Sequence, residues 1–596
     1  MYAYDKPDNL VEMFENSVTR YPDEPLFGTK NPQGAYEWVT YQEVAKRVDN
    51  LRGGLAQLGV GKDDAVGIIS RNSVEWAVAA FATYGLDARF ISMYETEVFR
   101  IWKYIVADSA IKVLFVATPV IYEQVRGFLD EISTLEKIIV IDGDAEDSMA
   151  ALEQVGQQHS LPSMRPSPYD VAGLIYTSGT TGEPKGVLLT HGNFTSNARA
   201  GYKIYPELNH NSRSLSILPW AHSYGQVAEL YNFIQFGGSI GLAESPNTII
   251  TDIAQVKPTH LLAVPRVFNK IYNGLWAKMD ETGGLARRLF VMGVESGQKR
   301  RALAKEGRSS FWTELQFKIA DRIVFEKVRE LFGGRLQCAM TASAAMNVDI
   351  AHFFFDVGIP LYDVYGLTEC SPAVAMNCPA AFRLGSVGQA IDKVTIVIDK
   401  SAVEAGADDG EIVVYGPNVM KGYHNKPEAT RAIMTEDGGI RTGDRGRLDE
   451  DGYLYITGRI KEQYKLENGR FVFPASLEED IKLIPYIANA MIYGENRAYN
   501  VCLVVPDFAV LEKYAVKHNL PPNPAALVQR PEVRDLISTE IREFLTGKYR
   551  NYEIPHKFVL LTEDFTLENG MLTQTMKLKR RAVVEKYKAE IEAQYA

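Results

Sequence analysis

The sequence predicts an α/β protein with a large N-terminal domain and a small α+β C-terminal domain. Three observations carry that expectation. Apolar strand-like runs alternate with amphipathic helical ones over the first half, as α/β layers around a largely parallel sheet require. Near residue 384 the pattern changes to short strands with Asp-Gly turns, which marks an antiparallel sheet or small barrel. After Arg459 a new charged segment begins, and strands and helices mix to the end of the chain.

Taken in order, VGIIS at 66 precedes the helical VEWAVAAFATYGL, and KVLFVAT at 112 and KIIVIDG at 137 are further strands. VAGLIYT and GVLLT flank the run TSGTTGEPK as a strand-loop-strand connection. From about 284 to 332 the pattern is helical, through RRLFVMGV and TELQFKIADRIVFEKVRELF. GSVGQAIDKVTIVID, DDGEIVVYG and DEDGYLYITGR form the β-rich, barrel-like part. NAMIYGE and VCLVVPD are strands of the last domain, and PEVRDLISTEIREFL is a helix of it. The expected domains are 1–459, with a helical insertion at about 276–332 and a β-rich part at about 384–458, and 460–596.

A chain of 596 residues exceeds one core, and 46% hydrophobic with 23% charged residues fits a globular protein. The net charge of -11 argues against nucleic acid as the main partner. Four cysteines form no CxxC pair and nine histidines no HExxH, so neither a disulfide framework nor a structural zinc is expected. The opening MYAYDKPDNLVEMF lacks an apolar h-region, and no run reaches the 18 apolar residues of a membrane span. The expectation is a reduced, soluble, cytoplasmic protein.

Glycines let backbone N–H groups converge on one anion, and hydroxyls and a lysine add donors and charge, so YTSGTTGEPKGV at 176 suits a phosphate. Its spacing is not that of a Walker A loop, because Gly182 is followed by Glu183-Pro184-Lys185-Gly186. On its own the run is equally a glycine-rich turn whose hydroxyls satisfy one another.

PWAHSYG at 219, YGLTE at 365, RTGD at 441, GRIKEQYKLENGR at 458 and LTQTMKLKR at 572 follow it. In this order and spacing they resemble the adenylate-forming enzymes, the superfamily of acyl-CoA synthetases, peptide-synthetase adenylation domains and firefly luciferase. The resemblance covers nearly the whole chain. AVPRVFNKIYNGL at 263, the helical insertion and KIADRIVFEKVRELFGG look like the long-chain fatty acyl-CoA synthetases. Departures are Ser343 and Met346 in TASAAM, where Gly and Pro are common, Gln574 in place of Pro, and Gln463 in place of an acidic residue.

The resemblance implies a site as well as a fold. Thr177, Ser178, Gly179, Thr180, Thr181, Gly182 and Lys185 would hold the β- and γ-phosphates of ATP, on a loop that closes and reopens each cycle. Glu369 would hold Mg²⁺. Tyr365 would pack on adenine, with Asp363 and Ala344 at its edge, and Ser343, Gly366 and Thr368 would complete the nucleotide site. Asp444 would accept both ribose hydroxyls, assisted by Arg459. Lys577 would bridge the entering carboxylate and the α-phosphate, and is the main catalytic candidate with Glu369, Thr181 and His222. Lys461 sits at the implied hinge of a mobile C-terminal domain, and Lys465 with Gly469 on the segment lining the thioester site. His222 would stand between acyl pocket and thiol channel. At Gly366 acetate-handling relatives carry Trp, so glycine implies an open acyl pocket. Taken singly, each has a plainer reading: a core Tyr or His, helix charge compensation, a solvated turn, a lysine on a basic face.

The expected function is an ATP- and Mg²⁺-dependent acid-thiol ligase making acyl-CoA from a medium- or long-chain fatty acid, with CoA as cosubstrate. Alternatives are a fatty acyl-AMP ligase that loads a carrier protein, and a catalytically silent lipid- or nucleotide-binding protein. Lys185, Glu369, Asp444, Arg459 and Lys577 together speak against the last. The segment carrying Arg287, Arg288, Lys299, Arg300, Arg301, Lys305 and Arg308 reads first as a solvated helix and second as a peripheral contact with an anionic membrane.

Overall fold

The computed structural model describes residues 7–143, 145–177, 183–344, 346–404, 406–460, 462–573 and 577–596. The chain divides into two compact units. The first is 1–397 with 413–442 and 448–454; the second is 398–412, 443–447 and 455–596. The strands Thr395–Asp399, Gly410–Tyr415, Ile440–Leu448 and Leu454–Arg459 form a four-stranded sheet.

A seven-stranded sheet forms around Ala65–Ile69, every residue of which is buried. It pairs in parallel with Arg89–Met93 and Ile111–Val116, and Lys137–Val140 extends the latter side. Burial on both faces explains the unbroken aliphatic run. The helix Val74–Tyr84 starts where the Ser73 side chain accepts from Trp76 N–H. Its residues are buried almost all round, which suits a helix without a polar face. At the other side of the sheet Val171–Thr177 and Lys185–Thr190 pair antiparallel, with Thr177 opposite Lys185, as a strand-loop-strand connection.

A nine-stranded sheet runs through Gln389–Ala390, Ala373–Met376, Leu361–Gly366, Cys338–Thr341, His260–Ala263, Arg213–Ser216, Ser239–Leu242, Pro25–Lys30 and Tyr36–Thr40. Between His260–Ala263 and Cys338–Thr341 lies the helical insertion, as Pro265–Thr282, Gly284–Lys305, Phe311–Ala320, a π-helical Asp321–Phe325 and Glu326–Leu331. No helix among the described residues is long and apolar enough to cross a membrane.

The second unit is built on a three-stranded sheet, Ile487–Tyr493, Val501–Pro506 and Lys557–Leu560. Alternate residues feed two apolar clusters. Ile492, Cys502 and Val504 face the helices Pro474–Ile481 and Pro531–Leu545, while Met491, Val501 and Leu503 face Met571, Leu572, Val583 and Ile591.

Candidate active site

In the first unit three motifs meet. Lys185 opens the returning strand of the glycine-rich hairpin, and Gly422–Tyr423 pairs antiparallel with that strand, Tyr423 opposite Val187. His424 N–H donates to Gly186 carbonyl at 2.8 Å and extends the pairing. The Tyr423 hydroxyl donates to Glu369 Oε1 at 2.7 Å, and Lys185 Nζ lies 4.9 Å from the centre of the Tyr423 ring. Met420 N–H donates to the Glu369 carbonyl at 2.9 Å. Burial, and then the Glu369 carboxylate, push the Tyr423 phenol far up, so it remains a donor at any physiological pH. Ser178 to Gly182 lie outside the described residues.

The parallel strands Cys338–Thr341 and Leu361–Gly366, with Thr341 opposite Asp363, deliver Ser343, Ala344, Asp363, Tyr365 and Gly366 to one edge. The carboxyl ends of parallel strands are where ligands of such sheets bind. Asp363 and Tyr365 are buried, whereas Ser343 and Ala344 are exposed. Burial pushes the Asp363 carboxyl up to about 8. Ser343 holds φ at 77°, the left-handed region that a glycine would occupy without cost.

Gly366 ends the strand Leu361–Gly366. A Cβ added there lies 2.1 Å from the Pro372 carbonyl oxygen, so glycine is required by close approach of Leu361–Gly366 to the next strand. A larger side chain at Gly366 would have to displace that backbone.

His222 is half-buried, and its Nδ1 lies 3.2 Å from Tyr224 N–H. The hydroxyls of Ser223 and Thr368 approach to 3.2 Å, which ties PWAHSYG to YGLTE. The π-helical Tyr224–Tyr231 follows directly; such segments recur at functional sites.

The second unit carries the remaining candidates. Arg459 Nε donates to Asp444 Oδ1 at 2.7 Å, and Asp444 is buried while Arg459 is half-buried. Lys465 lies on the hairpin of Tyr464–Lys465 and Phe471–Val472, its ammonium 4.7 Å from the Phe471 ring centre, and Gly469 turns that hairpin at φ 80°. Lys577 is exposed; Thr573 N–H donates to its carbonyl at 2.8 Å, and its own N–H donates to Thr573 Oγ1 at 3.1 Å. Lys461 and Gln574 lie outside the described residues. Gln463 accepts from the buried Arg445 at 2.9 Å; Glu404 and Asp409 already balance that guanidinium, so a neutral acceptor suffices where an acid is common.

The AMP-binding enzyme family matches residues 14–424, and the AMP-binding enzyme C-terminal domain matches residues 461–596. The chain belongs to the AMP-binding enzymes. This AMP-binding enzyme is 30% identical to the long-chain-fatty-acid–CoA ligase FadD15 of Mycobacterium bovis, over 99% of this chain and 97% of the relative. It is 29% identical to long chain acyl-CoA synthetase 8 of Arabidopsis thaliana, over 98% and 89%. Among solved structures, the adenylation domain of a carboxylate reductase from Mycobacterium chelonae shares its fold with a TM-score of 0.79 at 22% identity, covering 98% of this chain and 91% of the other. ATP-bound MatB from Rhodopseudomonas palustris does so with a TM-score of 0.71 at 21% identity, covering 97% and 99%.

Sequence reasoning passed over several residues that shape the site of this AMP-binding enzyme. Tyr423 had a signal, an aromatic before HNKPEAT, but nothing in the sequence couples it to Glu369 54 residues earlier. Glu229 is wholly buried and accepts from Ser214 Oγ at 2.5 Å, from Trp220 Nε1 at 3.1 Å and from the Ser216 hydroxyl. Burial raises its carboxyl. Together with Asn72, whose Oδ1 accepts from Trp220 N–H at 2.7 Å, it holds PWAHSYG in place. The acid in the apolar run VAELYNFI was the available clue.

Proposed function

We propose that this enzyme activates a medium- or long-chain fatty acid with ATP, giving acyl-AMP and pyrophosphate, and transfers the acyl group to CoA with release of AMP. The observation that carries the reading is the convergence of Lys185, Tyr423 and Glu369, together with full-length relatives named as long-chain-fatty-acid–CoA ligases. A substrate carboxylate oxygen attacks the α-phosphorus, and the bond to pyrophosphate breaks; a thiolate then attacks the acyl carbonyl and AMP leaves. Negative charge builds in both steps, which fixed donors and cations stabilise.

Lys185 and the hydroxyls of its loop hold the β- and γ-phosphates. Glu369 fits Mg²⁺, which would neutralise phosphate oxygens: its Oε1 is oriented by Tyr423, and its other oxygen has no partner among the described residues. Tyr365 and Asp363 receive the adenine, and Asp444, its carboxylate held by Arg459, accepts from the ribose. Lys577 stabilises charge in the first step, Lys465 and Gly469 line the second, and the C-terminal domain turns about Lys461 between them. A panel of acids from acetate to oleate, assayed for AMP release with mass spectrometry of products with and without CoA, tests this. Acid-independent pyrophosphate release would overturn it, and acyl-AMP left unconsumed by CoA would point to a carrier-protein acceptor.

The partner reading extends to a membrane surface. Phe311, Trp312, Leu315, Ile319 and Ile323 recur at helical spacing on Phe311–Ala320 and its π-helical continuation, and all are exposed, Phe311 to 74% and Trp312 to 71%. Lys318 and Arg322 flank them. An apolar stripe with aromatic residues and basic neighbours suits an anionic bilayer interface, into which fatty acids partition. The basic segment foreseen for this role is partly engaged elsewhere: Arg287 pairs with Asp280, Arg300 with Glu314 and Arg301 with Asp356.

A further inference from the structure

Arg580 lies three residues beyond Lys577 and opens the helix Arg580–Lys586. No acidic residue lies in the first turn of that helix, and arginine there opposes the helix dipole, so helix propensity does not account for it. Its guanidinium is turned into the unit instead. Nη1 donates to Glu478 Oε1 at 2.8 Å, Nη2 donates to Glu478 Oε2, and Nη1 reaches the Ile492 carbonyl at 3.3 Å. Glu478, 6% exposed on the helix Pro474–Ile481, accepts Ile492 N–H at 2.6 Å through the same Oε1. A bidentate fork between a half-buried guanidinium and a buried carboxylate fixes direction as well as distance.

The fork is a side-chain restraint just beyond Lys577. Further restraints come from Leu572 bridging Leu578, from Lys579 N–H donating to Met571 carbonyl at 2.8 Å and from Lys577 N–H donating to Thr573 Oγ1 at 3.1 Å. The thioester hairpin has restraints of its own. Asn496 N–H donates to Lys465 carbonyl at 2.8 Å, and Glu467 N–H to Arg497 carbonyl at 2.9 Å. Tyr464 of that hairpin lies within electrostatic reach of Glu478 and Arg580, so these backbone bonds are what keep Lys465 and Gly469 in register when the fork is loosened.

We infer that Glu478 and Arg580 are positioning residues for the adenylation step, fixing where Lys577 presents its ammonium; the inference rests on the reading of Lys577 as the catalytic lysine of that step. A buried ion pair contributes little net stability against a neutral replacement, whereas removing one partner strands a charge. The double variant Glu478→Gln/Arg580→Met leaves no buried charge and keeps an acceptor for Ile492 N–H, so it separates orientation from folding.

The test measures thermal unfolding and both half-reactions, with acyl-AMP supplied for the second. The double variant is expected to melt within a few degrees of wild type, to lose about 10- to 100-fold in the adenylation rate, as a displacement of about 1 Å does, and to keep thioester formation within about threefold. Single Arg580→Met is expected to lose stability and adenylation together. A double variant with full adenylation, or with equal loss in both half-reactions, overturns the inference. Lys577→Ala is measured alongside: if it spares adenylation, the underlying assignment fails, whatever the pair does.

Discussion

The Tyr423 hydroxyl is the one neutral donor seen on the Glu369 carboxylate among the described residues, and its ring lies beneath Lys185. Tyr423→Phe removes the hydrogen bond and keeps the ring. Because a bond to a charged group is worth about 1.5–3 kcal/mol, the Mg²⁺ concentration for half-maximal ATP binding should rise about tenfold, equivalent to about 1.4 kcal/mol. Titration of ATP binding against Mg²⁺ checks this, and an unchanged midpoint would make the hydroxyl structural. Asp363 makes a prediction in pH. Its carboxyl titrates near 3.8 unfolded and at about 8 folded, so the native state binds more protons between those values and stability falls as pH rises through that window. Asp363→Asn removes this slope, and its melting temperature should gain on wild type progressively from about pH 4 to pH 8. A pH-independent difference would sink the assignment of the shift. Ser343 was legible as a departure from glycine; only its φ of 77° shows a cost, about 1 kcal/mol for a residue with a Cβ.

At the scale of elements, the hairpin of Val171–Thr177 and Lys185–Thr190 was readable because two aliphatic runs flank a turn-rich stretch. The strand Gly422–Tyr423 that extends it was not, since two residues carry no periodicity and are placed by pairing with Val187 and Leu188. The helical insertion was likewise legible in outline, but its charges carry no record in sequence of which cations are engaged. Arg301 reads as a free cation in sequence and is engaged by Asp356, 55 residues away. The stripe of Phe311 and Trp312 gives the sharper test. Burying each aromatic at an interface is worth about 1.5–3 kcal/mol, so Phe311→Ser/Trp312→Ser should abolish low-salt cosedimentation with anionic vesicles and preserve activity on octanoate. Equal cosedimentation of variant and wild type would leave the stripe without a membrane role.

At the scale of the whole molecule, Lys577→Ala should abolish adenylation, with a loss of about 3 kcal/mol or more in transition-state stabilisation, and spare thioester formation from supplied acyl-AMP. Lys461→Pro should do the reverse and accumulate acyl-AMP, because proline fixes φ and removes an N–H at the proposed hinge. Single-turnover assays of each half-reaction decide both, and matched losses in either variant would refute the two-position reading. Motif order over the chain was enough to reveal the family, and alternation of strands and helices enough to reveal layered sheets, since both are properties of residues near in sequence. The sequence by itself determined which residues are available: a lysine after the glycine-rich turn, an acid in YGLTE, an arginine after LTQTMKLK. Tertiary structure alone decided that Tyr423 binds Glu369, that the Pro372 carbonyl fills the space at Gly366, and that Arg580 turns inward to Glu478. The reason is physical: strand pairing and burial bring together groups 54, 6 and 102 residues apart, and local propensity carries no term for what a side chain meets once the chain has packed.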